Sequence, residues 1–71
     1  MNAEKIGKFM SRKRKMKNLT QKELANKLHI TDKAVSKWER GLSLTDISVL
    51  IPLSEILNVG LYDLLKGGNN D

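Results

Sequence analysis

Residues 19–41, LTQKELANKLHITDKAVSKWERG, contain the signals for two short helices. Near the start of this stretch, the Thr20 hydroxyl can cap a helix while Glu23, three residues later, reaches back to form a capping box. The apolar residues that follow fall on one inner face: Leu24, Ala25 and Leu28. The pattern predicts a first short helix that stops close to His29.

A second helix follows after a short turn. Thr31 offers a second N-cap, and Gly41 ends a helix that runs from about Asp32 to Arg40. His29 lies in the turn between these helices, so we expect the turn to place a non-glycine residue at positive φ. Two capped helices joined by a tight turn form a helix-turn-helix, here about residues 20–41.

The second of these helices is amphipathic. Val35 and Trp38 lie three residues apart on one side, and the other side is polar and basic: Lys33, Ser36, Lys37 and Arg40. Trp38 could stack on a nucleic-acid base, but its spacing from Val35 favours packing in the core.

The N-terminal residues predict a helix over about residues 3–17. Ile6 and Met10 repeat at helical spacing with Phe9 beside them, and Arg14 continues the same stripe. A guanidinium at that position either reaches out to solvent or meets a carboxylate, because an unpaired buried charge is very unfavourable.

The C-terminal half supplies apolar residues for the core. In LSLTDISVLIPLSEILNV, residues 42–59, we expect six of them to be buried: Ile47, Leu50, Ile51, Leu53, Ile56 and Leu57. Pro52 lacks an N–H, so we predict a tight turn over residues 46–48 and a regular helix that starts close to the proline. A last short helix covers about Leu61–Leu65. The fold class is therefore all-α, a compact five-helix bundle.

Length and charge limit the possible functions. The 71 residues allow one domain, which we assign to residues 1–67, with a flexible tail over 68–71. The net charge is +5, and it divides into +8 over residues 1–41 and −3 over residues 42–71. The first half therefore faces an acidic partner, and the second half serves folding or self-association.

Several functional classes are disfavoured. With no cysteine and His29 as the single histidine, we expect neither a metal site nor a thiolate nucleophile. No nucleophile–base set or phosphate loop points to an enzyme, and we expect no cofactor and see no small-molecule site. No stretch approaches the about 20 apolar residues of a membrane span, and the charged N-terminus lacks a signal peptide's apolar stretch, so we expect a cytoplasmic protein.

The chain resembles the Cro/CI-type (XRE) helix-turn-helix family of bacterial and phage regulators. The residues that carry the resemblance fall in the family's register: Arg14, Thr20-Gln21, Glu23-Leu24-Ala25, Val35-Ser36, Trp38-Glu39-Arg40-Gly41 and Leu64-Leu65. The resemblance implies a lambda-repressor-like DNA-binding domain. It also implies a structural ion pair between Arg14 and Glu39, which would account for the charge in the apolar stripe.

The resemblance further implies a set of DNA contacts. Gln21, Thr31 and Arg40 are expected at backbone phosphates. The expected base-reading residues are Asp32, Lys33, Ser36 and Lys37. The lysines can donate to guanine, and Asp32 can accept from cytosine. The alternatives remain open: a carboxylate stabilises a helix N-terminus without any ligand, and a lysine-rich face is often simply solvated.

These expectations lead to a hypothesis about function: sequence-specific binding of double-stranded DNA by a transcriptional regulator, most simply a repressor. Leu61 and Tyr62 are candidate dimer contacts for a homodimer on a palindromic operator; alternatively, Leu61 closes the core and Tyr62 is merely exposed. The main alternative function is an antitoxin-like or adaptor module that binds a protein partner. A membrane-active peptide is disfavoured because the apolar face is narrow.

Overall fold

Five helices form the fold in a computed structural model, which describes residues 2–44 and 46–68. In chain order they are α1 (Ala3–Met16), α2 (Gln21–Leu28), α3 (Asp32–Glu39), α4 (Ile47–Leu57) and α5 (Leu61–Leu65). No residue in the described ranges belongs to a strand. The prediction of an all-α five-helix bundle is confirmed, and α1 and α3 each end one residue earlier than expected.

A single apolar core holds the helices together. α1 and α2 both pack against α3, and α4 and α5 close the other side. The buried apolar residues come from all five helices: Ile6, Phe9, Met10, Leu24, Ala25, Leu28, Val35, Trp38, Leu50, Leu53, Leu57 and Leu64. Trp38 is buried, as its spacing from Val35 predicted.

Each of the five helices ends in the same way. A residue with positive φ follows the helix, and two backbone N–H groups turn back to carbonyls of the last turn, which is the Schellman arrangement. The five residues are Asn18, His29, Gly41, Asn58 and Gly67. His29 has φ 59°, so the prediction of a non-glycine residue at positive φ in this turn is confirmed.

Gly7 sets how closely α1 approaches α3. This residue is buried, and a Cβ atom built on it would overlap the carbonyl oxygen of Trp38 and lie 2.9 Å from that of Glu39. The contacting atoms belong to backbone, so they cannot move aside as a flexible side chain would. The contact between α1 and the C-terminal turn of α3 therefore requires glycine.

Two of the apolar residues assigned to the core are exposed, so that part of the prediction is wrong. Ile47 is 77% exposed and Ile51 57% exposed. The inner face of α4 is formed by Leu50, Leu53 and Leu57, and Ile51 lies about 100° around the helix from Leu50. Ile47 occupies the first turn, beyond the part of α4 that contacts the core.

The predicted turn before α4 is also wrong. The helix begins at Ile47, and Pro52 is its sixth residue. Asp46 caps this start, because its Oδ1 accepts a hydrogen bond of 3.4 Å from the Ser48 N–H. Because Pro52 has no N–H, the carbonyl of Ser48, four residues earlier, has no donor within the helix. Ser48 is exposed in the first turn of α4.

At the C-terminus, the last described residue packs against α1. Gly68, which we assigned to the tail, is buried, and a Cβ on it would lie 2.8 Å from Cε1 of Phe9. Its N–H donates to the Asp63 carbonyl at 2.8 Å. Residues 69–71 of the predicted tail lie outside the described residues.

Candidate nucleic-acid interface

The helix-turn-helix is held by caps at the start of both helices. The Thr20 N–H donates to Oε1 of Glu23 at 2.8 Å, and the Glu23 N–H donates to the Thr20 hydroxyl oxygen at 3.0 Å, which is the expected capping box. In α3, the Ala34 N–H donates to the Thr31 hydroxyl oxygen at 3.2 Å. Side-chain caps therefore fix the start of α2 and the start of α3.

An ion pair joins α1 to the end of α3. Nε of Arg14 donates to Oε2 of Glu39 at 2.7 Å, and Nη2 donates to Oε1 at 3.1 Å. The remaining guanidinium nitrogen, Nη1, donates to the Leu19 carbonyl at 2.6 Å. The two side chains are 9% and 6% exposed. The structure thus brings together the pair that the resemblance implied and satisfies the charge in the apolar stripe.

Gln21 completes this network, a contact that sequence reasoning missed. Its Nε2 donates to Oε1 of Glu39 at 3.0 Å, so the first residue of α2 is tied to the last residue of α3. The bond fixes the Gln21 carboxamide at the N-terminal end of α2, next to the backbone N–H groups that α2 itself leaves unpaired. One Nε2 hydrogen remains available for a ligand.

The residues expected to read bases share the outer face of α3. Lys33, Ser36 and Lys37 are separated by three and four residues, and Arg40 continues the row. The two lysines are exposed and Ser36 is half-buried. Asp32, the first residue of α3, is exposed at its N-terminus. The opposite face is buried through Val35 and Trp38.

The residues expected at phosphates lie at the borders of this face. Thr31 is exposed, and its hydroxyl hydrogen remains free to donate after its oxygen has accepted the Ala34 bond. Arg40 is exposed, and its Nε donates to the Ser36 carbonyl at 3.3 Å. That bond leaves the two terminal nitrogens of Arg40 free to meet an anion.

The candidate dimer contacts form part of a larger exposed apolar set. Leu61 is 39% exposed, and Tyr62 is exposed with the Lys66 ammonium 5.0 Å from its ring centroid. Ile47 and Ile51 of α4 are exposed as well. No periodic signal separates these isoleucines from the core residues, because α4 is apolar on most of its circumference.

Residues 2–44 and 46–68 contain no group of three or more His, Asp or Glu side chains that could hold a metal ion. Within the same ranges, no helix has the length and apolar character needed to cross a membrane.

The fold and the arrangement of α2 and α3 define a helix-turn-helix protein. The family model described as "Helix-turn-helix" matches residues 10–64. The chain belongs to the Cro/CI-type (XRE) helix-turn-helix family.

Individual relatives agree with this assignment. The chain is 47% identical over 58 residues to YqaE, an uncharacterized HTH-type transcriptional regulator of Bacillus subtilis (strain 168), a match that covers 82% of this chain and 50% of the relative. It is 39% identical over 51 residues to the HTH-type transcriptional activator BcrR of Enterococcus faecalis, covering 72% and 25%. The chain therefore spans at most half the length of these relatives.

A solved structure extends the comparison to a DNA complex. The P22 c2 repressor, crystallised with a synthetic operator, superposes with a TM-score of 0.83 at 29% sequence identity. The match covers 87% of this chain and 94% of the repressor chain. The lambda-repressor-like fold expected from the sequence is confirmed.

Proposed function

We propose that this chain binds double-stranded DNA sequence-specifically, with α3 in the major groove, and regulates transcription, most simply as a repressor that blocks promoter access. The observation that carries the proposal is the division of α3 into two faces. Val35 and Trp38 fasten one face to the core, and the other presents Lys33 and Lys37 to solvent on a rigid helix. An α-helix of this kind fits the major groove.

The ends of α2 and α3 support the same orientation. The N-terminal N–H groups of both helices, with Gln21 and Thr31 beside them, can bind phosphates on either side of the groove, and Arg40 can reach a further phosphate. These contacts would position α3, while Lys33 and Lys37 donate to guanine and Asp32 accepts from cytosine. The relatives described as transcriptional regulators, and the P22 c2 repressor with its operator, support this proposal.

Two copies on a palindromic operator would extend recognition. Leu61 and Tyr62, with the exposed Ile47 and Ile51, supply apolar surface for such a homodimer. Half-sites would then lie about 34 Å, one helical turn, apart. The proposed protein binds DNA and has no catalytic activity. Its double-stranded DNA partner implies that it acts in the cytoplasm.

A fluorescence titration tests the proposal. The protein is titrated against a duplex selected from a random library and against a random-sequence duplex, between about 50 and 200 mM salt. We expect binding of the selected duplex at least about 1,000-fold tighter than of the random one, and a steep fall with salt for both. An affinity that is equal for both duplexes, or flat across this salt range, contradicts the proposal.

A second candidate is an adaptor or antitoxin-like module that binds a protein partner. The exposed Ile47 and Ile51, which the core does not need, favour it. Mutagenesis in cells distinguishes the two candidate functions. If Lys33→Ala with Lys37→Ala leaves regulation intact and Leu61→Asp abolishes it, the protein-partner function is correct. Loss of regulation in the lysine variant supports DNA reading, whatever the effect of Leu61→Asp.

A further inference from the structure

More of the excess positive charge of this chain resides on α1 than on the helix-turn-helix. Residues 3–16 contain six basic side chains and one acidic one, a balance of +5, which equals the net charge of the whole chain. Residues 20–41 contain five basic and three acidic side chains, a balance of only +2. Arg14 is paired with Glu39, so a groove contact through α3 leaves the other five basic side chains of α1 without a stated partner.

Three of the α1 bases form one exposed stripe, which we call the α1 stripe: Lys8, Arg12 and Lys15. Their spacing of four and three residues puts them on one face, opposite the buried Ile6 and Met10. The ion pairs found in residues 2–44 and 46–68 are Arg14–Glu39 and Lys66–Asp63, so none neutralises the α1 stripe. Arg12 contacts only an aromatic ring, with its guanidinium carbon 5.8 Å from the Phe9 ring centroid.

The α1 stripe does not face the duplex that α3 would read. Gly7 and Arg14 mark the side of α1 that contacts α3. At about 100° per residue, the stripe lies about 90° to 150° around α1 from that side. The outer face of α3 points away from α1 in turn, because Val35 and Trp38 face the core. A duplex against α3 and a ligand against the α1 stripe therefore occupy different sides of the molecule.

The composition of the stripe indicates the class of its partner. The other exposed side chains of α1 are Glu4, one turn before Lys8, and Met16, one turn after Arg12, so a single apolar side chain borders the stripe at its C-terminal end. Protein interfaces have aromatic and aliphatic anchors and are poor in lysine, and a membrane-surface helix needs a large apolar face. A row of unpaired Lys and Arg is instead what binds nucleic-acid phosphates, for which charge supplies nearly all of the sequence-independent affinity.

We propose that the α1 stripe binds the phosphate backbone of a second DNA duplex without regard to its sequence, so that the protein bridges two duplex segments. This inference rests on the proposed function, since α3 holds the first duplex. The stripe extends about 10 Å along α1, a length over which a duplex carries about six phosphate charges on its two strands. Bridging would let the bound protein bring a distant DNA segment to its operator.

A capture experiment tests bridging. The full chain is loaded onto an immobilised duplex that carries the selected site, unbound protein is washed away, and a labelled random-sequence duplex is titrated in. The test variant is Lys8→Gln with Lys15→Gln. The matched control is Lys22→Gln with Lys27→Gln, which removes two exposed helical lysines outside the stripe. Circular dichroism checks folding, and capture is normalised to the protein retained.

We expect the wild-type protein and the control to capture the labelled duplex with affinities within twofold of each other. The stripe variant should lose at least tenfold in capture affinity, and its slope of log affinity against log salt should fall by about 1.8. Capture that is absent in the wild type, or equal in the two variants, overturns the proposal. So does tighter capture of labelled polyglutamate than of duplex, which would indicate an acidic protein partner.

The loading step separates the two proposals. If the wild-type protein does not remain on the immobilised duplex even at low salt, the proposed function itself fails. If it remains there and captures no second duplex, only the bridging proposal fails.

Discussion

Arg14 and Glu39 form a two-point ion pair between α1 and α3, with Nε to Oε2 at 2.7 Å and Nη2 to Oε1 at 3.1 Å. The carboxylate also accepts from Gln21, and the guanidinium also donates to the Leu19 carbonyl. One buried pair therefore connects α1, the turn before α2, the first residue of α2 and the end of α3. It fixes α3 relative to the rest of the fold.

Removal of Arg14 tests this role. In Arg14→Ala, Glu39 keeps a buried charge without its partner, so we expect a loss of about 3–5 kcal/mol in the free energy of unfolding, measured by urea denaturation. Because a loss of that size can unfold a small domain, Arg14→Lys serves as a second variant. It keeps the charge but not the fork of donors, and we expect a loss of about 1–3 kcal/mol. Losses under about 0.5 kcal/mol in both variants would show that the pair adds no stability.

Gly7→Ala tests the close approach of α1 to α3. An alanine in an exposed helix would stabilise the chain by up to about 1 kcal/mol relative to glycine. Here the added Cβ would overlap backbone atoms of α3, so we expect destabilisation by about 1–3 kcal/mol in thermal or urea unfolding. A variant more stable than wild type would contradict the close approach of α1 to α3 at this position.

For the turn at His29 we predict a change in stability of the opposite sign. His29 is exposed and has φ 59°, a conformation that glycine adopts without steric cost. We expect His29→Gly to raise the free energy of unfolding by about 0.5–1 kcal/mol. Asn18→Gly, at the same φ of 59°, is the matched comparison and should gain less, because asparagine tolerates this conformation better than histidine. If His29→Gly gains no more stability than Asn18→Gly, or loses stability, the His29 side chain contributes contacts of its own.

The exposed isoleucines of α4 provide a test of the core. Because Ile47 and Ile51 lie outside it, we expect Ile47→Ser and Ile51→Ser to change the free energy of unfolding by less than about 0.5 kcal/mol at low protein concentration. Leu53→Ala, at a fully buried position, should cost about 2–5 kcal/mol. A large loss at either isoleucine would mean that it is buried in solution.

Sequence patterns predicted the elements whose local signals and periodicity agree. Thr20 with Glu23, and Thr31 before an amphipathic segment, located α2 and α3 to within a residue. The patterns failed in α4, where apolar residues surround most of the helix and periodicity cannot select the inner face. They also failed at Gly7, because only the approach of a distant helix makes this glycine necessary. The contact between Gln21 and Glu39 depends on the same tertiary arrangement.

The candidate site divides in a similar way. The positions of Lys33, Ser36 and Lys37 on one face of α3 follow from helical spacing and could be predicted. The pairing of Arg14 with Glu39 came from the family resemblance, since spacing alone required only some carboxylate. Whether Asp32 reads a base or only stabilises the helix N-terminus depends on the DNA, so it stays a prediction.

Reading of DNA by the outer face of α3 is measured by the specificity ratio, the Kd for random duplex divided by the Kd for selected duplex, in two matched double variants. Lys33→Ala with Lys37→Ala removes the proposed base readers, and each lost base contact is worth about 1–3 kcal/mol of discrimination. Lys22→Ala with Lys27→Ala removes the same charge from α2. We expect the ratio to fall at least tenfold in the first variant and to stay within about threefold of wild type in the second. An unchanged ratio in the first variant would contradict reading of DNA by the outer face of α3.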